Sequence, residues 1–136
     1  MAYDEAIRNI TLTADASLAG YTGVAGTPGA ANPHFGKAQY RFVKVTGAKQ
    51  CGLATAVGDA VVGVCQNKPQ VAGEAATVAI RGVSRVMAGG AFVPGDKIDT
   101  DATGRAVKSG AGAGIGIALE AATVANELTS VLLRCN

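Results

Sequence analysis

Tryptophan is absent, histidine occurs once, and only 16% of the 136 residues are charged. Each scarcity excludes something. The single histidine, His34, sits among Gly, Pro and Asn, where no Ser-His-acid set on ordered structure can use it. Gly82-Val-Ser84-Arg lacks the second glycine of a nucleophile elbow. Cys51, Cys65 and Cys135 are odd in number and without C-x-x-C spacing, which argues against a disulfide framework and against a zinc site. Buried, reduced thiols are the expectation. A net charge of +2 is too mild to point to nucleic acid. The longest uncharged stretch, Ala16 to Gly36, is too rich in Gly and Pro for a membrane span. Acids rather than basic residues stand near the N-terminus, so no secretory signal is expected and synthesis is expected in a reducing cytoplasm.

Large apolar side chains are also few. The hydrophobic share is 49%, but 27 residues are alanine, and 19 glycines accompany them. The length suits one domain, with a core built from short side chains. The low charge and apolar content speak against a disordered chain.

What is present is a succession of short strand signals. Residues 1–38 read as an extended arm, with Gly20, Gly23, Gly26 and Gly29 spaced by three and Ile7, Ile10 and Leu12 able to form a short strand within it. Residues 39–136 read as a β-rich domain. Tyr40 to Thr46 is rich in β-formers, and the unbroken apolar run Ala60 to Cys65 predicts a strand covered on both faces. Ala75 to Met87 is the longest candidate, with a bulge expected at Gly82. Val131, Leu133 and Cys135 alternate with Ser130 and Arg134 in the last strand. Gly89-Gly90, Pro94-Gly95 and Thr103-Gly104 punctuate the chain as turns. The expectation is an all-β, compact small β-barrel or β-sandwich with an extended N-terminal arm and at most one short helical turn, between Glu120 and Glu127.

Two glycine- or acid-bearing segments imitate ligand loops. Gly110 to Gly116 fails the G-x-G-x-x-G spacing and lacks the Gly-Lys-Ser/Thr ending of a phosphate loop, so a hairpin is expected there. Asp99-Thr-Asp101-Ala-Thr-Gly104 opens like a calcium loop, but position twelve is Gly110, not a bidentate glutamate. An Asx-stabilised turn is expected instead. No cofactor, metal or catalytic group is assigned.

The run Phe92-Val-Pro-Gly95-Asp96-Lys-Ile98 followed by Asp101-Ala-Thr-Gly104-Arg105, then Gly116-Ile-Ala-Leu-Glu120-Ala-Ala122 before a closing strand ending Val131-Leu-Leu-Arg134, resembles the small capsid decoration (cement) proteins of tailed bacteriophages. Val62-Gly-Val64 and Arg81-Gly-Val83 upstream are similar as well. The likeness runs over about residues 38–136 and leaves the arm unmatched. It implies a β-rich structural virion protein on the exterior of the phage head. It further implies a homotrimer that stabilises the shell by bridging neighbouring major capsid subunits, with neither nucleic acid nor membrane as partner.

On that reading the expected shell contacts are Tyr3, Ile7, Ile10, Leu12, Tyr21 and Phe35 of the arm, with Arg41 and Lys44 as electrostatic partners. The alternatives for the arm are a tail or a strand of the protein's own sheet. A second functional class is a virion-displayed module for host-surface carbohydrate, which the six aromatic residues and the lack of tryptophan disfavour. A small enzyme is the third class, disfavoured by the missing acid/base set.

Overall fold

The chain alternates tight turns with nine strands in a computed structural model that describes residues 8–19, 38–110 and 114–134. The strands are β1 (Arg8–Ala14), β2 (Phe42–Gly47), β3 (Gln50–Leu53), β4 (Val61–Cys65), β5 (Ala75–Met87), β6 (Lys97–Thr100), β7 (Ala106–Lys108), β8 (Gly116–Ala118) and β9 (Leu128–Leu133). No helix forms among the described residues, and the segment read as a helical turn is a plain turn at residues 124–126. Glu127 folds back there to accept from the amides of Thr123 and Val124, which holds the chain in a loop.

The neighbour order is β1-β3-β2-β4-β5-β9-β8-β6-β7, with β1 also paired to β5. That extra pairing closes β1 to β5 into a five-stranded barrel, which removes the unpaired edges of β3 and β5. The remaining strands extend from the second half of β5 as an antiparallel sheet. β5 is therefore long because it serves both units. Its register with β1 slips between Ala79 and Arg81, and Gly82 follows with φ 96° at the passage from one unit to the other. The bulge expected at Gly82 thus falls just before it.

β4 is buried along nearly its whole length, with Val61, Gly63, Val64 and Cys65 all covered, which is why this stretch reads as an unbroken apolar run. Val43, Cys51, Cys65, Ala76 and Val78 join Ala14 and Leu18 of the N-terminal segment in one cluster. Phe42, Val64 and Ala79, of opposite parity, meet Val86, Ile98, Ala118, Val131 and Leu133 in a second cluster between barrel and sheet. Small residues allow these close approaches. A Cβ on Gly63 would run into the carbonyl oxygen of Ala79.

Residues 8–19, assigned to the arm by the sequence, are part of the folded unit. Ile10, Leu12 and Ala14 alternate with exposed Asn9, Thr11 and Thr13, so one face of β1 lies on the core. The turn after it is tied down by Ser17, whose hydroxyl donates to Asp15 Oδ1 at 2.5 Å and accepts from the Leu53 amide at 2.8 Å.

Candidate functional site

Of the shell-contact residues expected from the sequence, Ile10, Leu12, Arg41 and Lys44 fall among the described residues. Tyr3, Ile7, Tyr21 and Phe35 lie outside the described residues. Ile10 and Leu12 are half-buried against the barrel cluster. Arg41 and Lys44, expected to offer charge to a partner, hold it within the domain. Arg41 is only 8% exposed, and its guanidinium donates to the carbonyl of Thr103 at 3.0 Å. Burial, then the nearby Arg105 charge, lowers its pKa from the ordinary value. Lys44 Nζ donates to Thr55 Oγ1 at 2.7 Å and pairs with Asp59 Oδ2 at 3.1 Å. Both side chains are turned to local acceptors because the loops after β3 and β6 fold over β2.

Most carboxylates are likewise occupied by local donors. Asp59 accepts from the amides of Thr55 and Ala56 and from Lys44. The Thr55 amide leads the effects that hold its pKa down at about 2. Asp101 forms the expected Asx turn, with Oδ1 accepting from the Thr103 and Arg105 amides and Oδ2 from Arg105 Nε at 2.8 Å. Burial pushes this carboxyl up, but those donors together outweigh it and the pKa is lowered. No group of three or more His, Cys, Asp or Glu stands together for a metal among the described residues. Cys51 and Cys65 are buried free thiols, each raised to about 11 mainly by desolvation, so neither is a ready nucleophile.

What remains is surface. The sheet formed by β5, β9, β8 and β6 buries Ser84, Val86, Val131, Leu133, Ala118 and Ile98 on one face. Its opposite face carries the cross-strand row Val83, Leu132, Ile117 and Lys97, each residue the register partner of the next. Register partners share a face, and Val83, Leu132 and Ile117 are all partly open to solvent. Arg81 and Arg85 flank Val83 at the same parity of β5 and are exposed. Arg8 is the register partner of Arg81 across β1 and β5. Arg134 follows Leu133, which pairs Gly82, the residue after Arg81. The face therefore has an apolar centre rimmed by cations.

A second opening lies at the sheet's end, where Phe92 bridges Ala122. It is a shallow apolar groove of about 510 Å³ lined by Ala91, Phe92, Val93, Ala121, Ala122 and Thr123, with the Lys108–Asp96 ion pair at its rim. Val93 is more than half exposed here. Sequence reasoning missed both surfaces. Alternation along Arg81-Gly-Val83-Ser-Arg85 hints at a cationic strand face, but nothing local brings residues 8, 97, 117 and 134 to it.

The described residues form a small all-β unit with most carboxylates tied to local donors, buried thiols and an open, cation-rimmed face. Comparison with known proteins names the class: residues 36–135 match the phage cement protein family, and the chain belongs to it. It is accordingly a structural protein of the phage capsid, associated with the exterior of the head. Among solved structures it is similar to the head fiber gp8.5 N base of bacteriophage phi29, with a TM-score of 0.58 at 17% identity over 95% of each chain. At that identity the likeness is one of fold. No curated protein matches the chain in sequence.

Proposed function

We propose that the protein binds the outer surface of an assembled phage head and stabilises it by bridging neighbouring major capsid subunits, acting as a homotrimer. Membership in the cement family over residues 36–135 is the observation that carries this reading. The mechanism is adhesive. A chain that binds the assembled lattice but not free subunits stabilises the lattice by mass action. Each interface can be modest, because association costs are met separately at every copy while the effect accumulates over the shell. Tyr3, Ile7, Tyr21 and Phe35 are proposed to add apolar contacts to the shell from the segments flanking β1.

The test is direct. Light scattering on the purified chain should return the mass of three copies, and mixing with undecorated heads should give a co-sedimenting complex with a raised disruption temperature. A chain that stays in the supernatant at saturating concentration would sink the proposal.

A further inference from the structure

We infer that the outer face of the β5-β9-β8-β6 sheet is the docking surface, and that its partner is an acidic, partly apolar patch on the capsid shell protein. This rests on the reading above and specifies which side of the molecule meets the shell, and by what chemistry.

Arg8, Arg81, Arg85 and Arg134 are all exposed, and none makes an ion pair among the described residues. Two of them, Arg8 and Arg81, are direct cross-strand partners, an arrangement in which like charges repel. Folding gains nothing from that juxtaposition. Among the described residues, acids are held elsewhere: Asp59 by Lys44, Asp96 by Lys108, Asp101 by Arg105, and buried Asp99 by the Ser109 hydroxyl. Glu120 alone shares a hollow with Arg85, without reaching ion-pair distance.

Between the arginines lies Val83, Leu132 and Ile117, with Lys97 at the far end of the row. An apolar centre within an arginine rim is the composition of a protein interface, where guanidinium groups desolvate more easily than ammonium groups and pair bidentately with carboxylates. Charge complementarity then fixes the occupant: a surface that supplies carboxylates around an apolar contact. A second copy of this chain would bring arginine against arginine, which disfavours self-association through this face.

The experiment uses the full chain and DNA-free heads. Arg81→Glu combined with Arg134→Glu should weaken co-sedimentation by about tenfold or more, as expected for reversed charge at close pairs. Lys68→Glu, the same charge change per site on the exposed turn after β4, should leave binding unchanged. Raising NaCl should weaken the wild type and leave little further effect on the double variant. Arg81→Glu alone places a carboxylate opposite Arg8, so its melting temperature should hold or rise while binding falls, a combination that loss of folding cannot produce. Binding of the double variant equal to wild type would overturn the inference while the proposed function stands. A double variant that loses its oligomeric mass would place the face between copies and overturn it too. A wild-type chain that ignores heads removes the proposed function and this surface with it.

Discussion

Gly104 closes the β6–β7 hairpin with φ 77°, and its carbonyl accepts from the Phe42 amide at 2.7 Å, so the tip is fastened to the start of β2. A Cβ there would stand 2.8 Å from the Phe42 carbonyl oxygen. Gly95 has a similar φ of 90° but open space around it. The pair separates backbone strain from crowding. Gly104→Ala should destabilise the protein by about 2 kcal/mol or more, and Gly95→Ala by about 1, since left-handed backbone alone costs roughly 1–2 kcal/mol for a residue with a Cβ. Urea denaturation of the two variants measures the difference. Equal losses would mean that the hairpin tip yields and is no anchor. The turn itself was legible, because Asp101-Ala-Thr-Gly104 has Asx-turn chemistry in four consecutive residues. Its contact with Phe42 was not, because sixty-one residues of chain lie between them.

β1 is the element whose role the fold redefines. Ile7, Ile10 and Leu12, set among Asn9, Thr11 and Thr13, read as a short strand, and a strand forms there over Arg8–Ala14. What such a pattern cannot supply is the partner. β1 runs antiparallel to β5 and parallel to β3, and so closes the barrel, although the cement-family match begins only at residue 36. A chain shortened to residues 36–136 should therefore lose its cooperative thermal transition or elute as aggregate. It would expose the edges of β3 and β5 and lose fully buried Leu18, a side chain worth about 2 kcal/mol by itself. Circular dichroism and size exclusion decide it, and a shortened chain that melts like the full one would remove β1 from the folding unit.

At the scale of the whole molecule, acid is the condition that should loosen the fold. Asp59, Asp96, Asp101 and Glu127 all titrate below their ordinary values in the folded chain. Amide donors lead for three of them, Thr55 for Asp59, Val93 for Asp96 and Thr123 for Glu127; for Asp101 burial opposes the shift and its amide and Arg105 donors prevail. A carboxyl lowered by folding adds stability that is complete above its unfolded value and disappears as pH falls through its folded one. The urea midpoint should thus be level above about pH 5 and drop between about pH 4 and 2, the lower bound set by Asp59 at about 2. A midpoint unchanged down to pH 2 would show that these loops contribute nothing to the fold. The same local pairing keeps Asp59, Asp96, Asp101 and Glu127 beside turns whose amides they satisfy, while among the described residues Glu120 shares a hollow with Arg85.

The shortage of large side chains, the strand-and-turn rhythm and the alternation in β9 follow from the sequence alone, because side-chain size, turn chemistry and a period of two act over a few residues. The ordered motifs from Phe92 to Arg134 carried the family resemblance for the same reason. Barrel closure by β1, the inward turn of Arg41, the Lys44–Asp59 pair and the meeting of Arg8, Arg81 and Arg134 beside Leu132 were decided by tertiary structure. They depend on which strands become neighbours and in what register, and that choice is made by two shared cores that no single stretch of chain contains.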